Sequence, residues 1–128
     1  MRKLVSSGSS LEETIGFSRA CRVGNVISIA GTAPLKNGKT ICIDDVYGQT
    51  KLCLELSIQA IEEAGGKISD ITRTRIMLTD ISLWEEAAKA HGEFFAKLKP
   101  ACTFVEVSGF INSKWLVETE IDCVLTDI

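Results

Sequence analysis

Two stretches near the end of the chain alternate in side-chain type strictly enough to fix the architecture around them. The first is Pro100-Ala101-Cys102-Thr103-Phe104-Val105-Glu106-Val107, and the second runs from Trp115 to Leu125. Neighbouring strand residues point to opposite faces of a sheet, so such alternation marks half-buried strands. The Gly, Asn and Ser residues between Gly109 and Lys114 predict a loop joining two neighbouring strands. In the second stretch Val117, Thr119, Ile121, Cys123 and Leu125 share one face. Glu118, Glu120 and Asp122 share the other. Three carboxylates in a ladder raise one another's pKa, which is useful for a group that must handle a proton near neutral pH.

The rest of the chain supplies partners for those strands. Leu4-Val5 predicts a short strand and Ser6 to Glu13 a polar loop. Ser18 to Val23 and Val26 to Ala30 predict two strands joined by a tight turn at Gly24-Asn25. Pro34 to Thr40 holds a second turn at Asn37-Gly38. Asp45 to Ala64 alternates over Leu54 to Ala60, but its length, its Leu, Glu, Gln and Ala content and the Ala64-Gly65-Gly66 stop predict a helix. Ile71 to Leu78 predicts a strand. A second helix opens with Ser82 and Glu85 at capping-box spacing, and Pro100 ends it. Its apolar stripe is Trp84, Ala87, Ala88, His91, Phe94 or Phe95, and Leu98. The order β-β-β-α-β-α-β-β is that of an α+β fold, a mixed sheet with two helices packed on one face. Residues 1–128 make a single domain, and a sheet covered on one face points to self-association.

A formal net charge of −3 argues against a nucleic-acid partner. The N-terminal segment carries no apolar core of signal-peptide length, and no apolar run approaches a membrane span, so a cytoplasmic protein without membrane contact is expected. The five cysteines include no C-x-x-C pair and there is one histidine, which predicts free thiols and no metal site.

The Pro-Ala-Cys-Thr-Phe-Val-Glu-Val strand and the Val117-Glu118-Thr119-Glu120 strand together resemble the end of the RidA/YjgF family of small enamine and imine deaminases. The resemblance extends through Val23-Gly24-Asn25 to Gly31-Thr32-Ala33-Pro34, Gln49-Thr50, Ala64-Gly65-Gly66, Leu78-Thr79-Asp80 and Phe94-Phe95. It implies a chorismate-mutase-like fold, a homotrimer, and a small-molecule cleft between subunits where imines such as 2-iminopropanoate are hydrolysed without a cofactor. In that family an arginine grips the substrate carboxylate in a two-pronged bond, and a glutamate positions or activates water.

The glutamate is matched by Glu118, the predicted catalytic residue. The arginine is matched by Cys102, which carries no fixed charge, so the carboxylate clamp at that position is gone. The resemblance places the other ligand contacts at Phe17, Ala30, Gly31, Ala88, His91, Thr103 and Phe104. Three functions compete. One is a hydrolase or deaminase of imine or enamine metabolites acting on a less acidic substrate than 2-iminopropanoate. The second is a non-catalytic trimeric protein that binds or senses a metabolite, and the weakest is a thiol-based role for Cys102. Arg73 and Arg75, sharing a strand face, are the remote substitutes for the missing guanidinium.

Overall fold

The computed structural model describes residues 1–127. Its main sheet has six strands: β1 (Arg2–Val5), β2 (Ala20–Val23), β3 (Val26–Thr32), β6 (Ile71–Leu78), β7 (Ala101–Glu106) and β8 (Val117–Val124). A separate two-stranded pair, β4 (Leu35–Lys36) and β5 (Lys39–Thr40), closes around Asn37-Gly38. Two helices, α1 (Val46–Glu63) and α2 (Trp84–Phe95), pack on one face of the main sheet. No helix among the described residues is long and apolar enough to cross a membrane.

The spatial order is β1-β2-β3-β8-β6-β7, antiparallel throughout except for the β6–β7 pair. Antiparallel β2 and β3 meet through the predicted two-residue turn, where only Gly24 takes a positive φ (61°). The last two strands are not neighbours, contrary to the expectation from their short connection. Edge strand β7 lies beside β6, and β8 inserts between β6 and β3. The reason is direction: α2 is a crossover that returns the chain parallel to β6, and the Gly109–Lys114 loop then reaches past β6 to the open flank of β3.

The core lies between the helices and the inward residues of the central strands. Ile27, Ile29, Ile76, Leu78, Val117, Ile121 and Cys123 pack against Cys53, Leu54, Ile61, Ala87 and Phe95. Helix α1 begins at Asp45, whose carboxylate accepts from the Gly48 N–H at 2.9 Å. Its buried stripe also carries Gln49, Thr50 and Ser57, all fully buried and hydrogen-bonded. Helix α2 is not capped by Ser82 and Glu85. A single tighter turn, Ile81–Leu83, precedes it, and the Asp80 side chain accepts from Ser82 N–H. Asp80 ends the strand and therefore stands one turn earlier, where the first free backbone donors are. The predicted polar loop at Ser6–Glu13 runs into a helical turn, Glu12–Gly16.

Directly paired residues share a sheet face, so the register defines the uncovered surface. It carries Leu4, Cys21, Val23, Val26 and Ser28 on β1 to β3, then Glu118, Glu120, Asp122 and Val124 on β8, Arg73, Arg75 and Met77 on β6, and Ala101, Thr103 and Val105 on β7. Arg75 donates to Glu120 at 2.8 Å and Arg73 lies 3.9 Å from Asp122.

Candidate functional site

Glu118 sits one residue into β8, next to the place where β3 bulges between Ile29 and Thr32. The bulge is made by Ala30 and Gly31. A β-carbon on Gly31 would come to 3.0 Å from the Glu118 Oε1, so the carboxylate lies tight against the glycine. Burial raises the Glu118 pKa above the usual carboxylate range, and the neighbouring Glu120 adds to the shift. Arg19 opposes both. The ladder effect is present, but burial outweighs it, in part because Arg75 neutralises Glu120.

The same end of the sheet collects Phe17, Arg19 and Ala30. Phe17 follows the Glu12–Gly16 turn in extended conformation and is half-buried. Two residues on, Arg19 is pinned through its main chain: its N–H donates to the Val5 carbonyl, and its own carbonyl accepts from Ala30 N–H at 2.9 Å. Ala30, Gly31 and Glu118 therefore meet at the bulge, and Phe17 leads into the neighbouring strand β2. The Arg19 side chain lines a separate cavity beside β1 and α1.

A second group gathers on the helix side of the sheet, at its far edge. The Thr74 hydroxyl pairs with His91 Nε2 at 2.8 Å, and the His91 ring lies against Phe95 and Phe104, at 4.7 and 6.1 Å between centroids. Trp84 meets Phe104 edge-on. Burial lowers the His91 pKa, so the ring is neutral at pH 7. Cys102 is the β7 partner of Thr74, so it faces this side as well, and it is exposed. Ala88 lies one helical turn before His91. Thr103 pairs with Arg75 and faces the uncovered side.

Within one chain these two groups do not meet. Glu118 is opposite Met77 on β6, while Cys102 and Phe104 are a strand further out and on the other face. Arg73 and Arg75 share the Glu118 face, but their partners are Asp122 and Glu120. A separate cavity of about 110 Å³ lies between β1, Arg19 and α1, lined by Ser6, Ser7, Leu56, Gln59 and Glu63. A larger groove of about 600 Å³ runs past Leu35, Ile43 and Trp115, away from Glu118.

One fully buried residue holds the loop that leads into the site. The Gln49 amide donates to the carbonyls of Cys42 (3.2 Å) and Lys114 (3.0 Å), and its oxygen accepts from Leu116 N–H (2.8 Å). These three bonds fix the chain two residues before Glu118. The signal was in the sequence only as a polar residue on an apolar helical stripe.

The sequence profile of the family described as Endoribonuclease L-PSP matches residues 7–125. An uncharacterized protein of Streptomyces coelicolor is 36% identical over 118 residues, covering 92% of this chain and 88% of the relative. A RutC family protein of Pyrococcus abyssi is 34% identical over 94 residues, 72% of this chain and 73% of its own. Among solved structures, a Mycobacterium tuberculosis member of the YjgF/YER057c/UK114 family superposes with a TM-score of 0.89 at 38% identity, covering 98% of this chain and 100% of that one. Yeast Mmf1, at 16% identity and a TM-score of 0.81, shares the fold.

Proposed function

The chain belongs to the Endoribonuclease L-PSP family, the YjgF/RidA group, and from that membership we infer a cofactor-independent hydrolase of small imines or enamines. The observation that carries this reading is the Glu118 carboxylate, half-buried against Gly31 and held above its ordinary pKa by burial. A half-buried carboxyl group that holds its proton more tightly than usual suits a group that delivers water to an imine carbon and protonates the departing amine. Attack of water forms the C–O bond, and loss of ammonia breaks the C–N bond and leaves a carbonyl.

The cleft is completed by association. In a homotrimer, the Phe17, Ala30, Gly31 and Glu118 group of one copy would face the Ala88, His91, Cys102 and Phe104 group of the next, with Thr103 beside them. The uncovered sheet face, with exposed Leu4, Val23 and Val26, supports such an assembly. Neutral His91 and the aromatic rings would shape the pocket, and Cys102 brings no fixed charge to it. The family's ribonuclease label is not adopted for this chain, whose net charge of −3 does not favour a phosphate backbone.

The test is ammonia release from imines and enamines generated in situ, including 2-aminoacrylate made by a PLP-dependent dehydratase. Wild type is expected to accelerate hydrolysis of at least one such compound, and Glu118→Gln to reduce the acceleration by about a hundredfold or more. Cys102→Arg should raise the rate on 2-iminopropanoate above that of wild type. Equal activity of Glu118→Gln and wild type would refute the assignment. No acceleration across the panel would leave a metabolite-binding protein as the surviving function.

A further inference from the structure

Thr32 on β3 and Ser57 on α1 put hydroxyls into the fully buried layer between helix and sheet. Burying a hydroxyl is unfavourable unless it finds a hydrogen-bond partner. A helical hydroxyl usually finds one in its own helix, at the carbonyl four residues back, as Thr50 does with Val46 at 2.8 Å. Ser57 instead reaches across to the sheet and donates to the Thr32 Oγ1 at 3.2 Å. Thr32 in turn donates to the carbonyl of Ala30 at 2.9 Å. Each bond polarises the other, because the Thr32 hydroxyl accepts and donates at once.

The Ala30 carbonyl belongs to the bulge. The register sets Ala30 and Gly31 of β3 against the single residue Glu120 of β8, between the pairs Ile29–Ile121 and Thr32–Thr119. A bulge takes backbone groups out of the ladder, and each must find another partner to keep the distorted shape. The Thr32 hydroxyl supplies one from the core side, while the Ala30 N–H donates to the Arg19 carbonyl on the β2 side at 2.9 Å. Gly31, on the opposite face from its neighbour Thr32, lies tight against the Glu118 Oε1. Two hydrogen bonds therefore run from α1 to the peptide beside which Glu118 rests. Thr119 provides the contrast. It is the cross-strand partner of Thr32 and equally buried, but its hydroxyl has no hydrogen-bond partner among the described residues.

We propose that Thr32, braced by Ser57, is a positioning residue for Glu118, holding the β3 bulge in the shape that packs Gly31 against the carboxylate. The assignment deepens the hydrolase reading and rests on it only for the effect on turnover. The groups whose charge acts on Glu118 are Glu120 on its own strand and Arg19 at the entry to β2. The Cys53 thiol of α1 is kept protonated by burial, and Met77, opposite Glu118 on β6, brings no charge. A substitution at Thr32 alters none of these groups, so a change in the Glu118 titration reports how closely the bulge encloses the carboxylate.

The test follows the Glu118 carboxyl by carbon-13 NMR titration of the full-length protein labelled at glutamate, with its signal identified by loss in Glu118→Gln. Thr32→Val, which keeps the shape of the side chain and removes the hydroxyl, should lower the Glu118 pKa toward the ordinary carboxylate value by about half a unit or more. Ser57→Ala should lower it by less, since Thr32 keeps its bond to Ala30. Thr32→Ser, which retains the hydroxyl, and Thr119→Val, which removes an unbonded one, should both titrate as wild type. On any imine that wild type hydrolyses, Thr32→Val should reduce kcat by about tenfold while KM stays within about twofold. If Thr32→Val does not fold, Ser57→Ala against Thr119→Val decides. A wild-type Glu118 titration in folded Thr32→Val, or in Ser57→Ala where that variant decides, overturns the proposal, and so does a shift in Thr119→Val as large as theirs. An unshifted titration in Thr32→Val beside undiminished imine turnover would defeat the positioning role and keep the hydrolase. A shifted titration in a protein that turns over no imine would do the reverse.

Discussion

At the scale of single residues, Glu118 is where fold and chemistry conflict. Its folded pKa is raised above the unfolded value, so between the two the native state binds more protons than the unfolded chain. That contribution to stability is fully present below the unfolded carboxylate pKa, about 4.3, and is lost as pH rises through the higher folded value. At neutral pH the ionised group therefore destabilises the protein. Glu118→Gln should unfold at a higher temperature than wild type at pH 7, with the difference shrinking as pH approaches 4. A calorimetric pH series that shows no such convergence would mean that the carboxylate is well solvated. The half-buried setting of Glu118 against Gly31 was not legible in the sequence, since the alternation of β8 puts the residue on a sheet face without saying what covers that face.

Among the elements, the strands and helices were readable because each carries its own signal. The glycine stop at Ala64-Gly65-Gly66 outweighed the strand-like alternation of Leu54 to Ala60, and α1 does extend to Glu63. Two features that depend on neighbours were not readable. Helix α2 has no side-chain cap, and Asp80 in place of Ser82 caps the tighter turn that the chain makes first. The pairing of β7 with β6 depends on the crossover through α2, to which the local alternation of β7 is blind. Gln49 shows the same limit at a tertiary contact, joining α1 to Lys114 and Leu116 more than sixty residues away. Gln49→Leu strands a part-buried Leu116 N–H and two carbonyls, and should cost about 2–4 kcal/mol in urea unfolding. A loss under about 0.5 kcal/mol would show that water replaces the amide without penalty.

For the molecule as a whole, the uncovered face combines exposed aliphatic residues with the Arg75–Glu120 and Arg73–Asp122 pairs. If that face is buried between copies, the protein should elute from gel filtration near three times the chain mass. Val26→Asp, which puts a charge on the aliphatic part of the face, should shift it toward the monomer. Elution of wild type as a monomer would dismantle the shared cleft. The position of β8 has a separate consequence for how the protein is made. A ribosome releases this strand after both strands it must join, so the nascent polypeptide carries two unfinished half-sheets with naked edges until β8 emerges. Truncation before Val117 would then remove the keystone of the sheet, and such a fragment should be cleared by cellular proteases.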